Sequence, residues 1–165
     1  MCIRDSIIRE CLLTNITYAS GFIFQCSLDG QIDVEPGALL NLLDCFSNQL
    51  AGQSDPIIDM GGNGKLIVRN YNGALDIRNH NDDSGDGDTC IDMNSGVIKL
   101  DSTITAGLWP IRGIARVVNN ASGTADVRDQ TINKLVTDNA TDLDIINQGV
   151  QKASLLIPHT ANLPT

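Results

Sequence analysis

The tripeptide Ile-Asp followed by Val or Met occurs three times in this chain of 165 residues, beginning at Ile32, Ile58 and Ile91. Repeats with periods of about 20–50 residues are typical of solenoids, whose stacked units share one core. In each copy we expect Ile and Val or Met to face inward and Asp to face water. After the last two copies, further matches recur 34 residues apart: Gly73 and Gly107, Ile77 and Ile111, Arg78 and Arg112.

Composition favours the same architecture. The chain has 18 Asp but only 2 Glu, with 15 Asn and 15 Gly, and Asp, Asn and Gly form turns more readily than helices. Many short strands at near-regular spacing predict a sandwich, a barrel or a solenoid. We predict a mainly β protein, with a right-handed parallel β-helix over residues 11–123. A β-sandwich is the alternative, because Asn72-Gly73 is a hairpin signal, and three short matches can also arise by chance.

The C-terminal residues 124–165 show a different pattern, which predicts a helical segment. A short helix is expected over Asp129–Thr137 and a longer one from Thr141 to Ile157, ended by Pro158. The longer helix carries an apolar heptad seam, for which an isolated helix of this length needs a partner surface. Either it folds back on the β-domain or it associates with copies of itself. The seam residues are Leu143, Ile146, Val150, Ala153 and Ile157.

The N-terminal residues Met1–Ser6 resemble the translated sequencing-adapter leader that opens many predicted genes on metagenomic contigs. We therefore expect residues 1–10 to be a non-native leader and a lead-in to the domain. The absence of a signal peptide there then says nothing about secretion.

Charge and apolar content exclude two classes of partner. Lys plus Arg number 11 and Asp plus Glu 20, so the net charge of −9 argues against nucleic acids and anionic membrane surfaces. No apolar run approaches the ~20 residues of a membrane span, so we predict no membrane insertion. The five cysteines include no Cys-x-x-Cys pair, and Cys26 and Cys45 lie among apolar residues. We predict that both are buried thiols without a metal or redox role.

One loop is a calcium candidate. Asp82, Ser84, Asp86 and Asp88 offer oxygen ligands at alternate positions, as hard cations require. An EF-hand counted from Asp82 would need Glu at its twelfth position, where the chain has Met93. The alternative is a solvated acidic turn, and we predict no cofactor and no catalytic residue.

Asp33, Asp59 and Asp92 would form a column if the three repeats stack. Paired carboxylates within about 5–9 Å can act as acid and base on polysaccharide. The alternative is that they belong to the polar face of a solenoid. Beyond Tyr71 and Trp109 the sequence shows no aromatic platform for sugar, which argues against catalysis. His80 and His159 do not lie in a metal-binding or nucleophile–base pattern.

The stretch from Ile91 to Gly107 resembles a segment common in tail-associated structural proteins of tailed phages. Residues 111–115 look like the element that closes this segment, and residues 58–62 and 68–73 are similar to its preceding coils. The likeness covers about residues 11–123 and departs from the pattern at Leu108-Trp109-Pro110. Pro110 lacks the N–H that a central strand would use.

This resemblance implies a non-enzymatic structural or receptor-facing component of a phage tail, made in the bacterial cytoplasm and located in the virion. Expected partners are other virion proteins, further copies of the chain, with a trimer favoured through the heptad seam, and a host-surface glycan. The alternative function is a surface or secreted β-helix that binds or cleaves polysaccharide.

Overall fold

The computed structural model describes residues 2–3, 6–18, 20–48, 55–82, 89–113, 115–129, 134–135 and 142–145. The described residues contain strands and no helix. The strands are β1 (Cys2–Ile3), β2 (Ser6–Arg9), β3 (Leu12–Tyr18), β4 (Gly21–Phe24), β5 (Ser27–Val34), β6 (Leu39–Leu43), β7 (Phe46–Ser47), β8 (Ile57–Gly62), β9 (Lys65–His80), β10 (Cys90–Leu100), β11 (Leu108–Gly113), β12 (Ala115–Asn119), β13 (Asp126–Asp129), β14 (Lys134–Leu135) and β15 (Asp142–Ile145).

Strands β1 to β13 stack in parallel as a β-solenoid of about 6 turns. Face 1 consists of β2, β4, β6, the starts of β9 and β10, β11 and β13. Face 2 consists of the starts of β3 and β5, β7 and the middle of β9 and β10. Face 3 consists of β1, the ends of β3 and β5, β8, the ends of β9 and β10, and β12. The predicted solenoid is thus confirmed over the sandwich, while its right-handedness stays a prediction.

Columns of stacked apolar side chains form the core. Alternation along each strand directs every second side chain inward, and the parallel register places these side chains above one another. On face 1 the inward column is Ile8, Ile23, Leu42, Val68, Ile91 and Ile111. On face 3 it is Ile16, Ile32, Ile58, Ile77 and Leu100, followed by Asn119.

The predicted stacking of all three Ile-Asp repeats is wrong for the third copy. Ile32 pairs with Ile58 on face 3, as expected, but Ile91 pairs with Val68 and Ile111 on face 1. The reason is that the turns differ in length. One turn leads from Ile58 to Ile77, so the 33 residues from Ile58 to Ile91 span one turn and part of the next. All three Ile residues are nonetheless fully buried.

One corner of the solenoid, between faces 1 and 2, has its own repeat. Glu10, Gln25, Asp44 and Asn70 adopt left-handed backbone conformations, with φ of 52, 52, 53 and 58°. Such conformations are uncommon outside glycine and persist where the surroundings over-determine them. Here the amide N–H of each of the first three residues donates to a carbonyl of the next turn: Phe24, Leu43 and Arg69. The corner bonds therefore tie the turns together.

The residue after each corner is Cys11, Cys26, Cys45 or Tyr71. Cys26 and Cys45 are fully buried thiols, as predicted, whereas Cys11 is exposed. The Cys45 Sγ lies 3.4 Å from the Ile23 carbonyl oxygen and 3.3 Å from that of Leu43. Loss of water at this site raises the pKa of Cys45 to about 11 and also raises the pKa of Cys26.

Alkaline pH should therefore destabilise the fold through Cys45. The pKa of its thiol is about 11 in the folded state against a reference value of 9.0, so the neutral thiol stabilises the fold fully below pH 9. This contribution, about 2–3 kcal/mol at two pKa units, is lost as the pH rises from about 9 to 11. Urea unfolding between pH 8 and pH 11 should show a shallower decline in Cys45→Ala than in the wild type. Cys11→Ala, which removes an exposed thiol, is the matched control, and an unchanged decline in Cys45→Ala would refute the assignment.

The predicted C-terminal helices are not present in the residues that the structure describes. Asp126–Asp129 forms β13, and Lys134–Leu135 forms β14, which pairs antiparallel with it. Asp142–Ile145 forms β15, which pairs antiparallel with β12, so Leu143 lies in a strand. The backbone groups along β12 at the end of the stack need hydrogen-bond partners, and a strand supplies them where a helix cannot. The other predicted seam residues, Ile146, Val150, Ala153 and Ile157, lie outside the described residues.

Candidate functional site

Face 3 carries the predicted acid column, but with only two of its three members. We call the positions that one turn contributes to a face a rung of that face. Asp33 and Asp59 occupy neighbouring rungs, and Arg78 occupies the next one. Asp92 lies on face 1, where its neighbour is Arg112 and the carboxylate lies 3.7 Å from Nε of that residue. The predicted three-membered column is therefore wrong, for the same reason as the Ile91 register.

Asp33 and Asp59 are about 4.8 Å apart in the backbone, the usual separation of adjacent strands. That spacing is close to the ~5 Å between the carboxyl groups of retaining glycosidases. Their hydrogen bonds, however, are local. Oδ1 of Asp59 accepts from the Gly61 amide at 3.0 Å and from Asn79 Nδ2 at 2.9 Å. The Gly61 bond holds the corner next to Asp59 in shape, and the Asn79 bond ties Asp59 to the next turn.

The other charges of face 3 also pair with one another. Arg78 donates from Nε and Nη2 to both oxygens of Asp76, at 3.1 and 2.6 Å. This bond, together with the charges of Asp76, Asp101 and Asp59, raises the pKa of Arg78. Lys99 Nζ lies 2.7 Å from an oxygen of Asp55, a residue close in space but distant in sequence. Face 3 is a network of ion pairs and hydrogen bonds on the sheet surface.

Asp101 continues this face beyond Leu100. Its Oδ1 accepts from the amide and from the hydroxyl of Thr103, both at 2.9 Å. The backbone hydrogen bond is the main cause that lowers the pKa of Asp101, and Arg78 adds to it. The carboxylate shapes the tight turn at this corner.

The two aromatic residues proposed for sugar stacking are unsuited to it. Tyr71 and Trp109 are both fully buried. The Tyr71 hydroxyl donates to the Ala74 carbonyl at 3.0 Å, and Trp109 Nε1 donates to the Ala106 carbonyl at 3.2 Å. Burial raises the pKa of Tyr71 above its usual range. Both side chains therefore fill the core.

His80 is likewise part of the interior. It is buried, and its Nδ1 lies 3.0 Å from the Ala106 carbonyl oxygen. Its ring meets the Trp109 ring edge-on, with centroids 5.0 Å apart. The two rings fill the corner between faces 3 and 1. The other histidine, His159, lies outside the described residues.

Sequence reasoning missed the aromatic and apolar residues that do reach the surface. Ile7 and Phe22 occupy adjacent rungs of face 1 and are 60% and 45% exposed. Phe46 on face 2 is also exposed. Period-2 alternation marks these positions as outward, because Phe22 and Phe46 each follow or precede a buried residue and Ile7 precedes the partly buried Ile8.

The calcium candidate is described only at Asp82, which is half-buried next to the corner formed by His80. Ser84, Asp86 and Asp88 lie outside the described residues. Among the residues that the structure describes, no group of three or more His, Cys, Asp or Glu side chains could hold a metal ion. The calcium candidate and its alternative, a solvated acidic turn, are both untested by the described residues.

Comparison with known proteins found no matching family model, no matching curated protein and no matching solved structure. Within the described part of the chain, no helix has the length and apolar character needed to cross a membrane.

Proposed function

We propose that this protein is a non-enzymatic structural or receptor-facing component of a phage tail. The observation that carries the proposal is the solenoid itself, a stack of about 6 turns with a continuous apolar core. Such a stack is a stiff, elongated scaffold with long flat faces, which suits a structural part. The likeness of residues 91–107 to tail-associated proteins supplies the virion context.

The bonding of the outward acids supports a non-catalytic role. An acid catalyst must direct its proton toward a substrate, and a nucleophile must direct its lone pair there. Oδ1 of Asp59 instead accepts from the Gly61 amide of its own turn and from Asn79 of the next turn, and Asp76 accepts from the guanidinium of Arg78. These carboxylates stabilise the solenoid surface.

The free thiols agree with synthesis in the bacterial cytoplasm. Cys26 and Cys45 stack in adjacent turns as thiols, and thiols persist in a reducing compartment. Assembly into a virion would follow folding. The proposed partners are other virion proteins and a host-surface glycan, and the finer assignment of a right-handed coil belongs to the same proposal.

A polysaccharide-cleaving β-helix is the second candidate, because Asp33 and Asp59 lie one rung apart. To separate the two functions, the purified protein is incubated with capsular and pectic polysaccharides while reducing ends and unsaturated products are followed. We expect no turnover. Turnover that is lost in Asp33→Asn or Asp59→Asn but kept in Asp76→Asn, a control on the same face, would reverse the ranking.

The phage assignment has its own test. Genes flanking this one should encode tail-assembly proteins, and the chain should be found by mass spectrometry in purified particles. Flanking genes for carbohydrate metabolism, with the chain absent from particles, would contradict the proposal.

A further inference from the structure

Face 1 has a charge opposite to that of the chain as a whole. The chain carries a net charge of −9. The outward strand positions of face 1 hold five cations against two carboxylates: Arg9, Lys65, Arg69, Arg112 and Arg128 against Asp92 and Asp126. Both carboxylates are paired with arginines of the same face: Asp126 with Arg128 at 2.7 Å and Asp92 with Arg112 at 3.7 Å. Two further carboxylates, Glu10 and Asp44, lie at the corner that borders this face. Arg9, Arg69 and Arg112 belong to one outward column that follows the length of the solenoid.

The same face exposes apolar surface among these arginines. Ile7 and Phe22 are neighbours in one column, and Phe24 and Leu43 are neighbours in the next. The Arg9 guanidinium lies over the Phe24 ring, 5.5 Å from its centroid. Aromatic residues and arginine are the types enriched at protein interfaces.

Face 3 has the complementary charge. It holds five carboxylates against three cations: Asp33, Asp55, Asp59, Asp76 and Asp101 against Arg78, Lys99 and Arg116. Three of these carboxylates, those of Asp76, Asp101 and Asp59, contribute to the raised pKa of Arg78. An incoming guanidinium would meet an acidic surface here.

The two faces also share one spacing. Both are built from the same stacked turns, so the rungs of each are about 4.8 Å apart along the solenoid axis. The successive Arg69, Asp92 and Arg112 of face 1 in one copy can therefore lie level with the successive Asp59, Arg78 and Asp101 of face 3 in another copy, with opposite charges at each of these three rungs. A ligand without this spacing would match at one or two rungs.

We propose that face 1 of one copy docks on face 3 of a second copy. The occupant is a second copy and not a face-to-face pair of face 1 surfaces, because two cationic surfaces would repel. An interface between two different patches is heterologous, so it builds a closed ring or an open filament. The proposal does not depend on the phage assignment or on the C-terminal seam.

Charge reversal in the full chain tests this contact. Arg69→Glu with Arg112→Glu reverses face 1, and Asp33→Lys with Asp76→Lys reverses face 3. In sedimentation at low salt the wild type should associate as its concentration rises. Each double variant alone should associate at least about tenfold more weakly, because opposite charges become like charges. A mixture of the two variants, and a chain with all four changes, should regain association.

Arg116→Glu is the control for added negative charge outside face 1, since it makes face 3 more acidic and should not weaken association. Urea unfolding of every variant establishes that it is folded. A wild type that stays monomeric at every concentration, or a mixture that fails to regain association, would overturn the proposal. Binding of polygalacturonate that is lost in the face 1 variant, without self-association of the wild type, would instead assign face 1 to an anionic glycan.

Discussion

Replacing Gly96 with Ala should lower the free energy of unfolding by about 2–5 kcal/mol. Gly96 stacks directly on Gly73 and has φ of +103°. A Cβ at this position would lie 2.1 Å from the Gly73 carbonyl oxygen, an atom of the backbone that cannot rotate away. The two turns would have to separate, which would break ladder hydrogen bonds on both sides of the substitution. The loss should appear as a lower urea midpoint with an unchanged slope.

Gly37→Ala is the matched control for backbone strain. Gly37 also has a positive φ, +74°, but no atom lies within 4 Å of its added Cβ. This variant should therefore lose only the conformational term, about 1 kcal/mol. Equal losses in the two variants would show that turn spacing at Gly73 and Gly96 does not limit stability.

Truncation of Ile58 to Ala should cost about 2–5 kcal/mol of unfolding free energy. Ile58 is fully buried in the inward column of face 3, between Ile32 in the turn before and Ile77 in the turn after. The strands above and below are held by their ladders, so the cavity left by the missing methyl groups cannot collapse. Ile57→Ala removes the same atoms one residue earlier, on the outward half-buried side, and should cost about 1 kcal/mol or less.

Double-mutant cycles on this column test the register. Ile58 and Ile77 are in adjacent rungs, so their truncations should be coupled. Ile58 and Ile91 lie on different faces and more than one turn apart, so their truncations should add within about 0.5 kcal/mol. Strong coupling between Ile58 and Ile91 would restore the column that the repeat predicted.

The repeat predicted the solenoid, even though the predicted position of its third copy, on the same face as the first two, was wrong. Ile32 and Ile58 do stack, and every inward residue of the three copies is buried. The corner repeat was overlooked, although its signal is present: Glu10-Cys11, Gln25-Cys26 and Asp44-Cys45 each pair a polar residue with a cysteine. Glu, Gln and Asp can adopt the left-handed conformation that the corner needs. However, Gly and Asn are the residue types that usually indicate such a conformation in a sequence.

The candidate site was less predictable than the fold. The exposed acids were recognised as outward residues, but not their partners. Three contacts join residues from different turns: the neighbours Arg78 and Asp59, the ion pair of Lys99 with Asp55, and the hydrogen bond from Asn79 to Asp59. Such contacts depend on which residues become neighbours on adjacent turns, and no local sequence pattern predicts this.

Local sequence determined which side chains of this protein are buried. Alternation at period 2 acts over two residues, and the burial of most Ile, Val and Leu side chains within the strands follows from it without knowledge of the turns. Tertiary structure alone decided which residues became neighbours across turns. Turn length varies along the chain, and each change of length shifts every later residue around the axis, which moved Ile91 and Asp92 from face 3 to face 1. The charges that lie on each face, and hence what each face can bind, are set by this accumulated shift.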